Sequence, residues 1–164
     1  MDRRQIVLKL TLDALGLDLK LESFNDRLII QKAIYLAQVA GIQLGYRFSW
    51  YIHGPYSAAL TRDAFTIASE EDESRGWSLD DRSAARLRTL RDLIPREAPA
   101  RRARALECLA SVHYGAKRKS LGADNAPAIV EELKALGKDF DGQAVQDALK
   151  TLKEFNILGD SASQ

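Results

Sequence analysis

The sequence predicts a mostly α-helical domain with a small β element, and three observations carry that prediction. Leucine and alanine dominate an apolar fraction of 46%, while aromatics make up only 7%, a balance that suits helices more than a β-sandwich. Apolar residues recur at helical spacing along most of the chain, and the period changes to two only in YRFSWYIH, residues 46–53. A Gly-Pro pair then breaks the alternation. The 164 residues are enough for a single compact domain with its own core, spanning 1–159, in which 1–68 forms an N-terminal core and 82–158 a helical remainder.

Ile6, Leu10, Ala14 and Leu17 mark one apolar face of a first helix, which Gly16 closes. Asn25 is placed to cap a second helix over Asp26–Val39, with Leu28, Ile29, Ala33, Leu36 and Ala37 as a broad stripe and Gly41 at its exit. Arg27, Gln31 and Gln38 fall on more polar positions, and Lys32 can spread its stem along the surface. In the alternating segment, Tyr46, Phe48, Trp50 and Ile52 point one way and Arg47, Ser49, Tyr51 and His53 the other, as in a half-buried strand. Gly54 and Pro55 stop that strand, because proline lacks a ladder donor and glycine permits turn geometry. Ser57 can cap the next helix, with Leu60, Ala64, Phe65 and Ala68 on one side.

Residues 70–81 read as an acidic loop with Trp77 as a buried anchor. A helix over Asp81–Ile94 follows, ended by Pro95, and Pro99 opens another that carries Leu106, Leu109 and His113. GAKRKSLGAD, residues 115–124, is a basic connector. Ile129, Leu133 and Leu136 mark a helix closed by Gly137, and the last helix covers about Gln143–Phe155. Residues 160–164 read as a frayed tail.

A formal net charge of +1 conceals strong segregation. Residues 62–81 carry seven acids and two bases, whereas 82–104 carry eight arginines against Asp92 and Glu97. The two blocks can neutralise each other, or Arg82, Arg86, Arg101, Arg102 and Arg104 can form a face for phosphates or for an acidic protein.

Catalytic patterns are missing. The chain has no phosphate-cradling glycine loop, no nucleotide-binding spacing and no nucleophile elbow. One cysteine and two histidines give no metal-ligating set, and no cofactor motif is present. Cys108 sits beside apolar residues and reads as a small core residue; His113 lies on an apolar stripe. His53 stands at the strand end, where ordering the corner is its expected role, and an enzyme would need it to line a pocket with the corner aromatics. The N-terminal stretch is interrupted by Lys9 and Asp13 and reads as a helix, not a signal peptide. With no apolar run of spanning length, a soluble cytoplasmic protein without a membrane partner is expected.

Leu28, Gln31, Lys32, Tyr35 and Leu36, followed by Phe48, Trp50, Tyr51, Gly54, Pro55, Tyr56 and Ser57, form a distinctive pair of motifs. They read as a Q-K helix, a short aromatic strand, and a Gly-Pro corner leading into a helix that starts on a small residue. This stretch resembles the core of the small bacterial YwgA-like proteins and, more distantly, the Panacea domain of SocA-like antitoxins. The resemblance covers about 40 of the 164 residues; the arginine-rich middle and the helices after residue 120 lie outside it. It implies a winged-helix-like N-terminal core and a non-enzymatic role as an antitoxin or adaptor acting on another protein, whether toxin, effector or protease substrate.

The expected site follows from these readings. Tyr51, His53, Tyr56, Arg82, Arg86, Arg101, Arg102 and Arg104 are the candidate partner-binding residues, and Trp50, Gly54, Pro55 and Ser57 shape the corner. The alternative is a winged-helix-like nucleic-acid binder using the arginine face. Against that stands the lack of a helix bearing several polar base-reading side chains.

Overall fold

Side-chain caps fix where the helices begin. In the computed structural model, which describes residues 1–162, Asp2 and Gln5 form a capping box on α1 (Arg3–Leu15), and Gly16 ends it at φ 71°. The buried face of α1 is Leu8, Thr11, Leu12 and Leu15, with Ile6; Leu10 and Ala14, expected inward, are only half-buried. Ser23, not Asn25, caps α2 (Phe24–Val39), because Ser23 and Asp26 exchange the two capping-box hydrogen bonds. Phe24 thereby becomes the first helical residue and faces solvent.

All ten residues Leu28–Ala37 of α2 are buried. A helix enclosed on every side lies at the centre of its domain, and Lys32 consequently has no surface along which to spread; it is 1% exposed.

After α2 the chain runs extended. Ile42, Leu44 and Tyr46 are buried and Gln43, Gly45 and Arg47 exposed, so the alternation is real, but the ladder is short. Strands β1 (Ser49–Tyr51) and β2 (Gly54–Tyr56) form an antiparallel hairpin pairing Ser49 with Tyr56, Trp50 with Pro55 and Tyr51 with Gly54. The Gly-Pro pair thus belongs to a returning strand and does not merely stop the first. Ile52 and His53 form the two-residue turn, and Ile52, expected inward, stands 68% exposed at the tip.

Ser57 caps α3 (Ala58–Ser69), as expected. Its inner face is Leu60, Asp63, Ala64 and Ile67; Phe65 and Ala68 point outward. Helix α4 (Asp81–Leu90) is capped by Asp80 and tightens into a 3-10 turn, Arg91–Leu93, before Pro95. Helix α5 (Pro99–Arg118) takes in Gly115–Arg118, the first four of the ten residues of the expected connector. Helices α6 (Ala126–Ala135) and α7 (Gly142–Glu154) complete the chain. Trp77 is no anchor: it is 55% exposed. Asp160 and Ser161 are not frayed, since Lys153 pairs with Asp160 and the Ser161 N–H donates to Asp124; residues 163–164 lie outside the described residues.

The α2–α5 pair is the most extensive helix contact, with α6 and α7 packed on α5 and with α1 against α3 and α4. One cluster of buried side chains runs from Leu8 to Leu158, so the N-terminal core and the helical remainder share an interior.

Asp63 locks the N-terminal half. It accepts hydrogen bonds from Arg4 Nε (2.8 Å), Tyr46 Oη (2.8 Å) and Gln5 Nε2 (3.2 Å), joining α1, α3 and the extended segment. Burial by itself would raise the carboxyl pKa, but the three donors outweigh it and hold the group below the usual carboxylate range. Asp63→Asn is expected to lower stability by about 2 kcal/mol at pH 7. The loss shrinks as pH falls through the wild-type carboxyl pKa, where the native carboxylate itself takes up a proton. Urea unfolding of both proteins at pH 7 and pH 3 measures it.

Candidate functional site

The Q-K pair of α2 holds the Gly-Pro corner. Gln31 Nε2 donates to the Ser57 carbonyl (2.8 Å) while the Ser57 N–H donates to Gln31 Oε1 (3.0 Å). Lys32 Nζ donates to the Pro55 carbonyl, 2.5 Å away. Adjacent positions on a helix point about 100° apart, yet both side chains reach this corner. The hairpin wraps α2 closely enough for both to reach one three-residue segment, Pro55–Ser57.

Gly54 is required twice over. Its φ is 89°, and a Cβ there would stand 2.5 Å from Ser111 Oγ and 3.6 Å from Lys32 Nζ. Strand β2 therefore packs closely against both α2 and α5. Trp50 fastens the other strand: its Nε1 donates to the Leu136 carbonyl at the end of α6 (2.9 Å), and its ring lies 5.3 Å from Tyr114.

With its inner side fixed in this way, the hairpin turns a different chemistry outward. Tyr51 is 60% exposed and packs on Tyr56 at 5.6 Å between ring centroids. Ile52 follows at the tip, and His53 meets the edge of Phe24, itself 51% exposed, at 4.8 Å. Phe24, Tyr51, Ile52, His53 and Tyr56 thus make one aromatic and aliphatic face. The sequence reading found Tyr51, His53 and Tyr56 but missed Phe24 and Ile52. Finding Phe24 required recognising the Ser23–Asp26 capping box, and finding Ile52 required placing the turn.

Behind His53 is a small charged group. His53 Nδ1 lies 3.7 Å from Glu107 Oε1, which also accepts from Lys138. Lys32 lies near enough to feel both, and burial pushes its pKa down to about 8, with Glu107 raising it and Lys138 lowering it. His53 therefore has a carboxylate neighbour, and among the described residues no hydroxyl or thiol hydrogen-bonds to it. Cys108 is no nucleophile: burial raises its thiol to about 11. Ser111 Oγ is buried without a hydrogen-bond partner, under Gly54.

The candidate arginines differ in what they bind and in how exposed they are. Arg86 is committed to helix ends, donating to the Ala40 carbonyl after α2 and to the Phe155 carbonyl after α7. Arg102 Nε donates to the Pro95 carbonyl. Arg82, Arg101 and Arg104 are exposed. Among the described residues, no ion pair joins an acid of 70–81 to an arginine of 82–104; Glu70 and Glu73 take the N-terminal amino group instead. No cluster of three metal-ligating side chains occurs among the described residues.

Two grooves lie away from the hairpin face. One, of about 570 Å³, is walled by Tyr35, Phe48, His113 and Tyr114, with Lys117 and Arg118 beside them. There His113 Nδ1 and Tyr35 Oη share a hydrogen bond of 2.7 Å, and burial holds the imidazole at a pKa of about 4 and hence neutral at pH 7. The second groove, of about 1250 Å³, runs between α1 and α4.

Compared with protein-family models, with curated proteins and with solved structures, the chain matches none. Its own geometry therefore carries the functional reading. Among the described residues, no helix is long and apolar enough to cross a membrane.

Proposed function

We propose that this chain is a non-enzymatic protein-interaction module, working in the cytoplasm, whose hairpin face grips another protein. The observation that carries the reading is the exposure of Tyr51 and Ile52 on a hairpin immobilised from behind by Gln31, Lys32 and Trp50, with Phe24 of α2 exposed beside its turn. Large apolar side chains cluster on a surface in this way where they are to be buried against something, and rigid aromatics lose little entropy on binding. The resemblance of residues 28–57 to YwgA-like and Panacea proteins supports an adaptor or antitoxin role, with a toxin, effector or protease substrate as the partner class.

The test is capture from nuclease-treated lysate of the native host, using wild type and Ile52→Asp as baits. The expected result is a stoichiometric protein held by wild type and recovered at least about tenfold less on the variant, equivalent to roughly 1.4 kcal/mol. Ile52 is at the tip of the turn, so the variant should keep its melting temperature. Equal recovery on both baits contradicts the reading.

Arg82, Arg101 and Arg104, exposed and without an ion pair among the described residues, favour a second reading, a winged-helix-like nucleic-acid binder. It requires nucleic acid to co-purify without nuclease and binding to weaken steeply with salt.

A further inference from the structure

The smaller groove, beside the last two turns of α5, is walled by rings. Tyr35 meets Phe48 edge-on at 5.2 Å, His113 at 5.5 Å and Tyr114 at 6.5 Å between centroids, and all four line the groove. Its volume of about 570 Å³ falls within the roughly 300–1,000 Å³ of small-molecule clefts.

One polar atom in this lining is unsatisfied. His113 is 2% exposed, and its Nε2 is buried without a hydrogen-bond partner. Counting protons assigns its state. Nδ1 shares a 2.7 Å bond with Tyr35 Oη, and burial makes that hydroxyl hold its proton more firmly than usual. If Nδ1–H were the donor, the hydroxyl proton would have no acceptor among the described residues. With the hydroxyl donating, both atoms are satisfied and the neutral ring carries its proton on Nε2. The result is an N–H that lacks only an acceptor, and a donor buried in that state costs about 1–3 kcal/mol. Lys117 follows His113 at i+4, on the same side of α5, close enough to lower the imidazole pKa further. It is exposed and makes no ion pair among the described residues, whereas Arg118 is engaged by Glu132 at 2.9 Å. No acid lines the groove.

We propose that this groove is a binding site for a small aromatic carboxylate, its ring seated among Tyr35, Phe48 and Tyr114 and its carboxylate bridging His113 Nε2–H and the Lys117 ammonium. Each part of the ligand follows from a feature of the lining. Aromatic pairs contribute about 0.5–1.5 kcal/mol beyond the area they bury, so these walls select a planar ring over an aliphatic chain. One uncompensated cation matches one negative charge, and two donors match two carboxylate oxygens. A phosphate monoester, with close to two charges, would leave one of them unmatched, because Arg118 already holds Glu132. Nε2 is shielded from solvent, so seating the carboxylate takes a rotamer change at the rim, where the Lys117 side chain is exposed. The hairpin face lies outside this site, although Trp50, on the inner side of the hairpin, packs on Tyr114 at 5.3 Å.

The test is titration calorimetry of the full chain at pH 7 with benzoate, 2-naphthoate and indole-3-carboxylate. Saturable one-site binding of at least one is expected, with its neutral amide bound about tenfold more weakly. Lys117→Gln changes an exposed position, so the fold is retained, and affinity should fall about fivefold. The Nε2–H proton resonance of His113 should move on binding, a response that adsorption elsewhere on the surface would not give. Ile52→Asp should bind like wild type, which separates this site from the hairpin reading. No saturable binding of any of the three, unchanged affinity in Lys117→Gln, an unmoved His113 resonance, loss of binding in Ile52→Asp, equal binding of cyclohexanecarboxylate, or tighter binding of adenosine monophosphate would each overturn the inference.

Discussion

Gly54→Ala is expected to lower stability by about 3 kcal/mol, and Ser111→Ala is expected to restore part of that loss. Two separate penalties act at the site. Forcing a residue with a Cβ to φ 89° costs about 1–2 kcal/mol. Placing that Cβ 2.5 Å from Ser111 Oγ forces α5 and the hairpin apart, and overpacking of this kind costs about 1–3 kcal/mol. The lower entropy of alanine in the unfolded chain returns roughly 0.4–1 kcal/mol. Ser111→Ala alone is expected to be neutral or slightly stabilising, because its hydroxyl is buried without a partner. In the double variant only the backbone penalty remains, since Ser111 Cβ stands at an ordinary 3.7 Å from the added atom. A urea-unfolding cycle of the four proteins measures the coupling, and purely additive losses would contradict the contact.

The same substitution bears on function. Tyr51, Ile52 and His53 are presented by a turn in which neither Ile52 nor His53 takes a positive φ, so the left-handed residue falls at Gly54. Displacing Gly54 rotates the turn away from Phe24 and dismantles the aromatic face from within. Ile52→Asp, by contrast, alters only what the face presents. Partner capture should fall with both variants, but melting temperature only with Gly54→Ala.

How much of this was legible in the sequence depends on whether the signal was local. Caps and stops are local: Gly16, Ser57, Pro99 and Gly137 stand where the periodicity placed them. The in-out alternation of Tyr46 to Tyr51 held for the same reason. Ile52 was lost because a two-residue turn ends the period-two rule, and nothing local marks the turn before Gly54. Trp77 shows a different limit. A lone tryptophan in a polar loop invites a buried assignment, yet nothing in the sequence says whether a surface exists to receive it. Leu10 was placed in the core by a stripe that in fact runs along the groove, one row over from Leu8, Thr11 and Leu15. The role of the Q-K pair needed tertiary information altogether, because a lysine on a helix ordinarily reaches solvent, and only enclosure by the hairpin and α5 prevents it.

That enclosed lysine gives the chain an unusual alkaline response. Stability is expected to rise, relative to Lys32→Met, by about 3 kcal/mol between pH 8 and pH 10.5. The sign follows from proton counts. Burial lowers the Lys32 pKa from 10.5 to about 8 in the folded protein, so between those values the unfolded chain binds a proton that the folded chain has released. Stability then increases with pH across that window, and below pH 8 the full penalty of a buried cation is present. A shift of this size corresponds to about 3 kcal/mol at 1.36 kcal/mol per unit. Chemical denaturation of both proteins at pH 7.5 and pH 10.5 isolates the effect, because every other titrating group contributes alike to the pair. Parallel pH curves would mean that Lys32 keeps its proton in the folded state up to pH 10, against its burial. The expected divergence has a structural meaning: at neutral pH the chain holds a charged ammonium on the Pro55 carbonyl at the expense of global stability. That charge-assisted bond keeps the corner, and the face beyond it, in one orientation.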